Sequence, residues 1–382
     1  MKESIDGDKI LILGTSAPQV DAIRYCQERG LDVHACGHKR IGKGVEVADV
    51  FNLIDIKDDD QLARYCEENG IDYIYSAGSE IAIPAASTVS KRLGLPYFIE
   101  PEMTDLANDK TIWRKRLGSD FTGNVEFRGI KNKEELSDWK EFPAMMKPAD
   151  GQGQRGVRKV EDHEEIETYF DDVMDYSGND KIIIEEYVSG PELSVNAFVI
   201  DGELVYVQET DRISFDDFPG GIIKEHHIPS KYTSNDEKLK GKIENMVSES
   251  VKKLSIDDGP VYVQLKLEDK KEPKLIEIAP RLDGCHLWRL IKNYCGVDLL
   301  DASFRLLFGQ KDEAKKALKE ESKKSDHKLI FMTEKPDEKV TKEKYDVEDS
   351  LFVEWYYEED EKVREVNGFM EKIGYRITKN DA

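Results

Sequence analysis

The run Pro143-Ala144-Met145-Met146-Lys147-Pro148-Ala149-Asp150-Gly151-Gln152-Gly153-Gln154-Arg155-Gly156-Val157 carries a lysine at the end of a short apolar segment. A glycine-containing loop follows, and Val157 opens another ordered segment. Glycines let backbone N–H groups turn toward an anion with no Cβ in the way. Lys147 adds a point charge where the loop begins. The combination reads as a lid over nucleotide phosphates. It is not a Walker loop, because no Gly-Lys-Ser/Thr closes it. Taken alone, the same loop reads equally well as a plain hairpin connection.

Three further segments, in a fixed order, give it meaning. Asn108-Asp109-Lys110 lies upstream. Lys181-Ile182-Ile183-Ile184-Glu185-Glu186-Tyr187-Val188-Ser189-Gly190-Pro191-Glu192-Leu193-Ser194-Val195 follows the loop. Val261-Tyr262-Val263-Gln264-Leu265-Lys266 and Leu275-Ile276-Glu277-Ile278-Ala279-Pro280-Arg281 come last. On these four motifs the chain resembles the ATP-grasp superfamily, on the branch that includes biotin carboxylase, carbamoyl phosphate synthetase and the L-amino-acid ligases. The resemblance covers nearly the whole chain and points to no particular substrate.

Length and charge set limits. At 382 residues the chain holds two or three domains with full cores. Charged residues are 35% and the net charge is −23. That argues against nucleic acid as a partner, since phosphate backbones need a basic face. The expectation is a soluble cytoplasmic protein with an acid-rich surface, in which an anionic substrate meets a local basic pocket. The start Met1-Lys2-Glu3-Ser4 is polar, so no signal peptide is expected, and no run approaches a membrane span. Cys26, Cys36, Cys66, Cys285 and Cys295 are odd in number and form no CxxC, which points to a reduced compartment without structural zinc. Cys26 and Cys66 fall within amphipathic helical patterns, as small buried residues do.

Strands at Lys9–Leu13, 31–36, 50–54 and 71–76 alternate with helices that stop at Gly30 and Gly70. This spacing predicts a parallel sheet with helices on both faces. Gly14-Thr15-Ser16 lacks the full GxGxxG, which sets a nicotinamide site aside. A helix from Met103 to Leu117 carries Lys110. Strands are expected over 122–129, 142–147, 156–160 and 182–186, with a helix over 163–174 between the last two. Leu193 to Gln208 reads as a hairpin turning at Asp201-Gly202. After the loop holding Pro219-Gly220-Gly221 come a helix over 235–254, a hairpin of 261–267 with 274–278, and further helices to Gly309. Lys311 to Lys328 reads as one charged helix, and 329–333, 351–357 and 374–377 as strands.

The expected fold is thus mixed α/β and α+β. An N-terminal Rossmann-like domain covers 1–102. The resemblance implies two α+β subdomains gripping ATP, a lid over 103–188 and a larger part with metal and substrate sites over 189–310. A small β-rich domain closes the chain over 311–382.

The resemblance also implies roles. Glu186 C=O and Val188 N–H would meet adenine, with the Glu185 carboxylate near its amino group and Glu192 on the ribose hydroxyls. Lys110 and Lys147 would hold phosphate, helped by amides from Gly151 through Gly153 and Gln154 to Gly156. Relatives use serines where Gln152 and Gln154 stand. Arg155 reads equally as a substrate contact or a surface cation. Magnesium or manganese would sit on Glu277 with Gln264 as a neutral partner. Ala279 supplies no ligand, and Asp283 is either a compensating ligand or a turn residue. Arg281 would grip the acceptor carboxylate or acyl phosphate, because its fork binds two oxygens at once. His226 or His227, in the segment where relatives keep a substrate loop, would orient substrate or move a proton. A metal site from both is excluded, since adjacent residues on an extended chain face opposite ways.

The implied activity is an ADP-forming carboxylate–amine ligase working through an acyl phosphate on small-molecule substrates, with a homodimer as an arrangement relatives adopt. Two alternatives remain open. One is a carboxylating or carbamoylating enzyme using carboxyphosphate, against which stand Arg281-Leu282-Asp283-Gly284-Cys285-His286 in place of Arg-x-Gln-x-Glu-His and the lack of a biotinyl Met-Lys-Met. The other is a non-catalytic nucleotide binder, suggested by Gln264 and Ala279.

Overall fold

The computed structural model describes residues 5–104, 109–151, 155–215, 221–319, 324–365 and 369–379. Its strands form three sheets. In the first, β1 (Lys9–Leu13), β2 (Asp32–Gly37), β3 (Val50–Leu53) and β4 (Tyr73–Tyr75) are parallel, in the order β3-β2-β1-β4. Strand alternation divides its apolar residues between two layers. Ile10 and Ile12 meet Ala22, Ile23 and Cys26 of α1 (Ala17–Gln27). α2 (Gly44–Val47) is one turn after β2. Leu11 and Leu13 share a core with Leu62 and Cys66 of α3 (Asp59–Asn69) and Val89 of α4 (Ala82–Leu93). The ends of α3 follow its sequence signals: Asp58 accepts from Gln61 N–H at 2.9 Å, and Gly70 closes it at φ 65°.

The second sheet is antiparallel, in the order β5-β8-β6-β7. It comprises β5 (Phe127–Ile130), β6 (Ala144–Pro148), β7 (Arg158–Val160) and β8 (Ile182–Glu186). α5 (Lys110–Leu117) precedes it, and α6 (His163–Met174) covers one face through Ile166, Phe170 and Val173. Ala144, Met146, Ile182 and Ile184 meet that helix. Period-2 alternation then turns Met145, Lys147 and Glu185 to the other face.

The third sheet has eight strands in the order β13-β12-β9-β10-β11-β14-β16-β15. They are β9 (Glu192–Ile200), β10 (Glu203–Ser214), β11 (Ile223–Ile228), β12 (Gly259–Glu268), β13 (Glu272–Ala279), β14 (His327–Glu334), β15 (Phe352–Trp355) and β16 (Glu371–Lys379). The β9–β10 hairpin turns at Asp201 and Gly202, both at positive φ, as expected for that dipeptide. α7 (Glu237–Lys253) packs Ile243, Val247 and Val251 against Val195, Val261 and Val263. α8 (Leu287–Cys295), α9 (Leu299–Leu307) and α10 (Lys311–Ala317) join this sheet to the first, with Phe304 stacked on Tyr25 at 4.6 Å between centroids.

Three expectations change. The segment assigned to a substrate loop contains β11, hydrogen-bonded between β10 and β14. Ile223, His226 and Ile228 of β11 are buried, so most of its apolar side chains serve the core. The charged helix ends at Ala317: no apolar residue between Lys319 and Asp326 offers a buried face to extend it. The helix expected from Met103 is a 3₁₀ turn over Pro101–Met103 and, separately, α5 capped by Asp109.

Candidate functional site

A cleft of about 1270 Å³ opens where the three sheets meet. At one end lies a buried ion cluster. α5 starts at Lys110 and brings Arg114 round to the same side one turn later. Lys110 Nζ donates to the Gly151 carbonyl at 2.7 Å, tying the helix to the glycine loop. Burial pushes the Lys110 ammonium below its ordinary pKa; Glu277 and Glu185 oppose this, and Lys147 adds to it. Arg114 is fully buried and donates to Asn124 Oδ1 at 2.8 Å, to the Leu275 carbonyl at 3.0 Å and to the Glu185 carboxylate. The other Glu185 oxygen accepts from Lys147 Nζ. Burial alone would raise the Glu185 pKa, but Arg114 and Lys147 beside it bring it down to about 2. The carboxylate is therefore ionised and holds two cations in place. A buried charge of this kind persists only while paired.

The strand end after Glu185 is anchored on both sides. Glu186 N–H donates to the Glu126 carbonyl at 2.9 Å, and Tyr187 N–H to the Pro143 carbonyl at 3.1 Å. The Tyr187 ring has Lys159 Nζ at 4.6 Å and Lys266 Nζ at 5.1 Å from its centroid. Glu186, Val188 and Glu192 line the cleft. Glu192 accepts from Gln264 Nε2 and lies 3.6 Å from Arg212 Nε.

Gln264 and Glu277 face each other across β12 and β13. A register shift places the extra residue Ile276 in β13. Without it, Leu275 and Glu277 would share a face. With it, Leu275 and Ile278 enter the core while Glu277 lines the cleft. One carboxylate and one amide oxygen on facing strands suit a single oxygen-loving cation that takes its remaining ligands from phosphate and water. Among the described residues no group of three or more His, Cys, Asp or Glu side chains is placed to hold a metal.

Arg281 stands beyond this pair. It is ion-paired with Glu80, lies 3.9 Å from Glu277, donates to the Leu282 carbonyl at 2.9 Å, and sits 5.4 Å from the Tyr262 ring centroid. Asp283 also lines the cleft; it is buried and accepts from Cys285 N–H and from Leu287 N–H, capping the entry to α8.

Of the residues expected from sequence, the structure brings Lys110, Lys147, Gly151, Glu185, Glu186, Val188, Glu192, Gln264, Glu277 and Arg281 to one cleft. Gly153 and Gln154 lie outside the described residues. Gly156 does not line the cleft; it turns the chain at φ 69°, with Tyr176 and Pro148 too close for a Cβ. His226 is corrected. It is fully buried in β11, away from the cleft lining, with Nδ1 3.4 Å from Thr210 Oγ1. Burial, then the Arg212 and Lys372 charges, hold its pKa well below the ordinary histidine value, so it is neutral. Sequence reasoning passed over Arg114, Glu80, Arg212 and Lys372. Arg114 had a readable signal, its i, i+4 spacing from Lys110; the others have no local signature.

Comparison with known proteins agrees with this geometry. Residues 140–287 match the model of the ATP-grasp domain. The carbamoyl phosphate synthase large chain of Clostridium perfringens (strain SM101 / Type A) is 22% identical over 332 residues, covering 80% of this chain and 30% of that protein. The ATP-grasp enzyme fsqD of Aspergillus fumigatus is 23% identical over 253 residues, covering 56% and 42%. The chain thus spans less than half the length of these relatives. Among solved structures, an L-amino acid ligase from Bacillus licheniformis superposes with a TM-score of 0.80 at 16% identity, over 99% of this chain and 94% of that one. Phosphoribosylglycinamide synthetase from Anaerococcus prevotii gives 0.75 at 17% identity, over 99% and 95%. The expected mixed fold is borne out, and residues 140–287 match the ATP-grasp domain.

Proposed function

We propose that the protein is an ATP-dependent carboxylate–amine ligase. The γ-phosphoryl group of ATP passes to a carboxylate oxygen, giving an acyl phosphate and ADP. An amine then forms a bond to the acyl carbon, phosphate leaves with the C–O electron pair, and the proton lost from the amine nitrogen passes to the departing phosphate or to water. The observation that carries this reading is the continuous line of groups from the Arg114–Glu185–Lys147 cluster and Lys110, past Gln264 and Glu277, to Arg281. It provides a fixed cationic end, a cation-binding pair and a carboxylate-binding fork in one cleft of a protein whose net charge is −23.

Each group has a separate task. Lys110 and Lys147 hold the phosphates, and Glu185 keeps Lys147 extended toward them. Bound magnesium would supply charge neutralisation between phosphates, held by Glu277 and the Gln264 amide oxygen. Arg281 orients the acceptor carboxylate. Catalysis by such a site is positioning and charge stabilisation. Several of the curated relatives are carbamoyl phosphate synthases, which keeps carboxyphosphate chemistry as the second reading. Small-molecule substrates, a cytoplasmic setting and a homodimer belong to the same proposal. In the described residues no helix is long and apolar enough to cross a membrane.

A phosphate-release screen of carboxylates against amines with Mg-ATP tests it. Release that needs both partners and yields an amide is the expected result. Release with bicarbonate alone selects the second reading. ATP binding without release under any pairing removes the ligase assignment.

A further inference from the structure

The cleft continues past the groups used above into a compartment built around Tyr262 and Cys285. Arg212 of β10 donates to the Tyr262 hydroxyl at 3.2 Å, and Arg281 lies against the ring of the same tyrosine. Lys372 of β16 donates to Cys285 Sγ at 3.6 Å and stands 3.8 Å from the Phe331 ring centroid. All five side chains of Arg212, Tyr262, Arg281, Cys285 and Lys372 line the cleft. His226, the register partner of Arg212 on β11, lies behind them.

The compensation of these charges is uneven. Arg281 has Glu80, and Arg212 has Glu192 at 3.6 Å. Lys372 makes no ion pair with a described carboxylate; its neighbour Glu371, which also lines the cleft, feels its charge but has its pKa pushed up by burial. Glu354, which also lines the cleft, is taken by Arg24 at 3.2 Å and Lys43 at 3.9 Å. In addition, the Arg212 side chain is 7% exposed, and its Nε is buried without a hydrogen-bond partner among the described residues. A buried N–H donor left unpaired is unfavourable, so the Arg212 Nε together with an ammonium whose contacts are a thiol and an aromatic ring describes a seat for an anion. This seat is additional to the fork that faces Glu277.

Resting on the ligase reading, we propose that the acceptor substrate carries a second anionic group, and that Lys372 together with Arg212 seats it while Arg281 holds the reacting carboxylate. The shared chemistry is a doubly anionic small molecule, whether a dicarboxylate or a phosphorylated carboxylate. The Tyr262 hydroxyl adds a neutral hydrogen bond between the two positions.

The test compares chain-length-matched monocarboxylates, dicarboxylates and phosphorylated carboxylates by phosphate release from the full chain with Mg-ATP and an amine. The doubly anionic members should exceed the singly charged ones by about tenfold or more in kcat/KM, the usual worth of one charge-assisted contact. Whichever doubly charged set is preferred identifies the group. Lys372→Gln should lower the doubly-to-singly charged ratio about tenfold, through KM, and Lys372→Arg should restore it. A ratio the same in the parent and Lys372→Gln overturns the proposal, as does a parent preference for single charge.

A second readout does not require turnover. Cys285 is the partly exposed thiol of the compartment, while Cys26, Cys36, Cys66 and Cys295 are buried. Its alkylation by iodoacetamide should slow about tenfold under a saturating doubly anionic ligand in the parent, and not in Lys372→Gln. Protection without any phosphate release leaves the anion seat standing and removes the ligase reading. Phosphate release without selective protection does the reverse.

Discussion

The two ends of the cleft are assembled by different rules. The nucleotide end is made of short consecutive segments. Lys110 and Arg114 share one helix face, Lys147 and Glu185 share one sheet face, and Glu185 to Glu192 is an unbroken run. The acceptor end takes single residues from distant places: Glu80 before α4, Arg212 from β10, Arg281 after β13 and Lys372 from β16. The first end is fixed by local geometry, so a sequence motif describes it. The second exists only after the eight-stranded sheet has closed. Substrate choice can therefore change at one end while the other keeps its form.

The strongest way to break this contrast is to attack the ion cluster. Glu185→Gln leaves Arg114 and Lys147 beside each other without a counter-charge, which should cost about 3–5 kcal/mol of stability. Denaturant unfolding at neutral pH measures it. The parent has a matching pH signature. The Glu185 pKa is about 2 in the folded protein and in the ordinary carboxylate range when unfolded. Its stabilisation is thus complete above about pH 5 and is lost as pH falls toward 2. Glu185→Gln should lack that component of acid destabilisation. Equal stability of the two proteins at pH 7 would show that the nucleotide end is not pre-organised by this cluster.

Glu277 sits at the junction of the two ends, where the β13 bulge turns it into the cleft. Glu277→Gln should reduce turnover at least about 10²-fold, with unfolding unchanged within about 0.5 kcal/mol. Gln264→Glu should act in the opposite sense on metal affinity, because a charged oxygen replaces a neutral one. Metal titrations of Gln264→Glu that coincide with the parent would mean that this pair does not hold the ion.

Lys147→Ala should weaken a non-hydrolysable ATP analogue by about 1.5–3 kcal/mol in titration calorimetry. The structure sharpens what that number means. Lys147 is a partner of Glu185 as well as a phosphate candidate. Lys147→Ala together with Glu185→Gln should therefore lose less affinity than the two single changes added. Additive losses would separate the lysine from the cluster.

What was legible follows the same divide. The helix over Asp59–Asn69, the turn at Asp201-Gly202 and the β12–β13 hairpin were all readable, since caps, turn residues and period-2 patterns are local. β11 was not, because His226, His227, Glu225 and Lys224 look like a polar loop until β10 and β14 flank them. The i, i+4 spacing puts Arg114 on the helix face of Lys110, but its burial comes only with the tertiary fold. Lys372 lies in a segment with no motif, and its meaning comes from Cys285, 87 positions away.

The smallest effect expected concerns His226, and it tests whether the acceptor end stops at Arg212. The residue lies behind Arg212 on β11, is fully buried, and is held neutral. A catalytic histidine there would need a path to the cleft, which the structure does not give it. His226→Leu keeps similar bulk, so turnover per folded molecule and the acceptor KM should stay within about twofold, below the tenfold worth of a good polar contact. Stability should respond instead, and in a pH-dependent way. In the parent the folded pKa is depressed below the unfolded value of about 6.5. The neutral ring therefore costs nothing above that pH, while below it the unfolded chain takes up a proton that the folded one refuses. Parent stability should fall by up to about 1.4 kcal/mol per pH unit there. His226→Leu has no such proton, so its stability should gain on the parent between about pH 6.5 and 5. A raised acceptor KM at constant stability would put His226 in contact with substrate and extend the acceptor end one strand further.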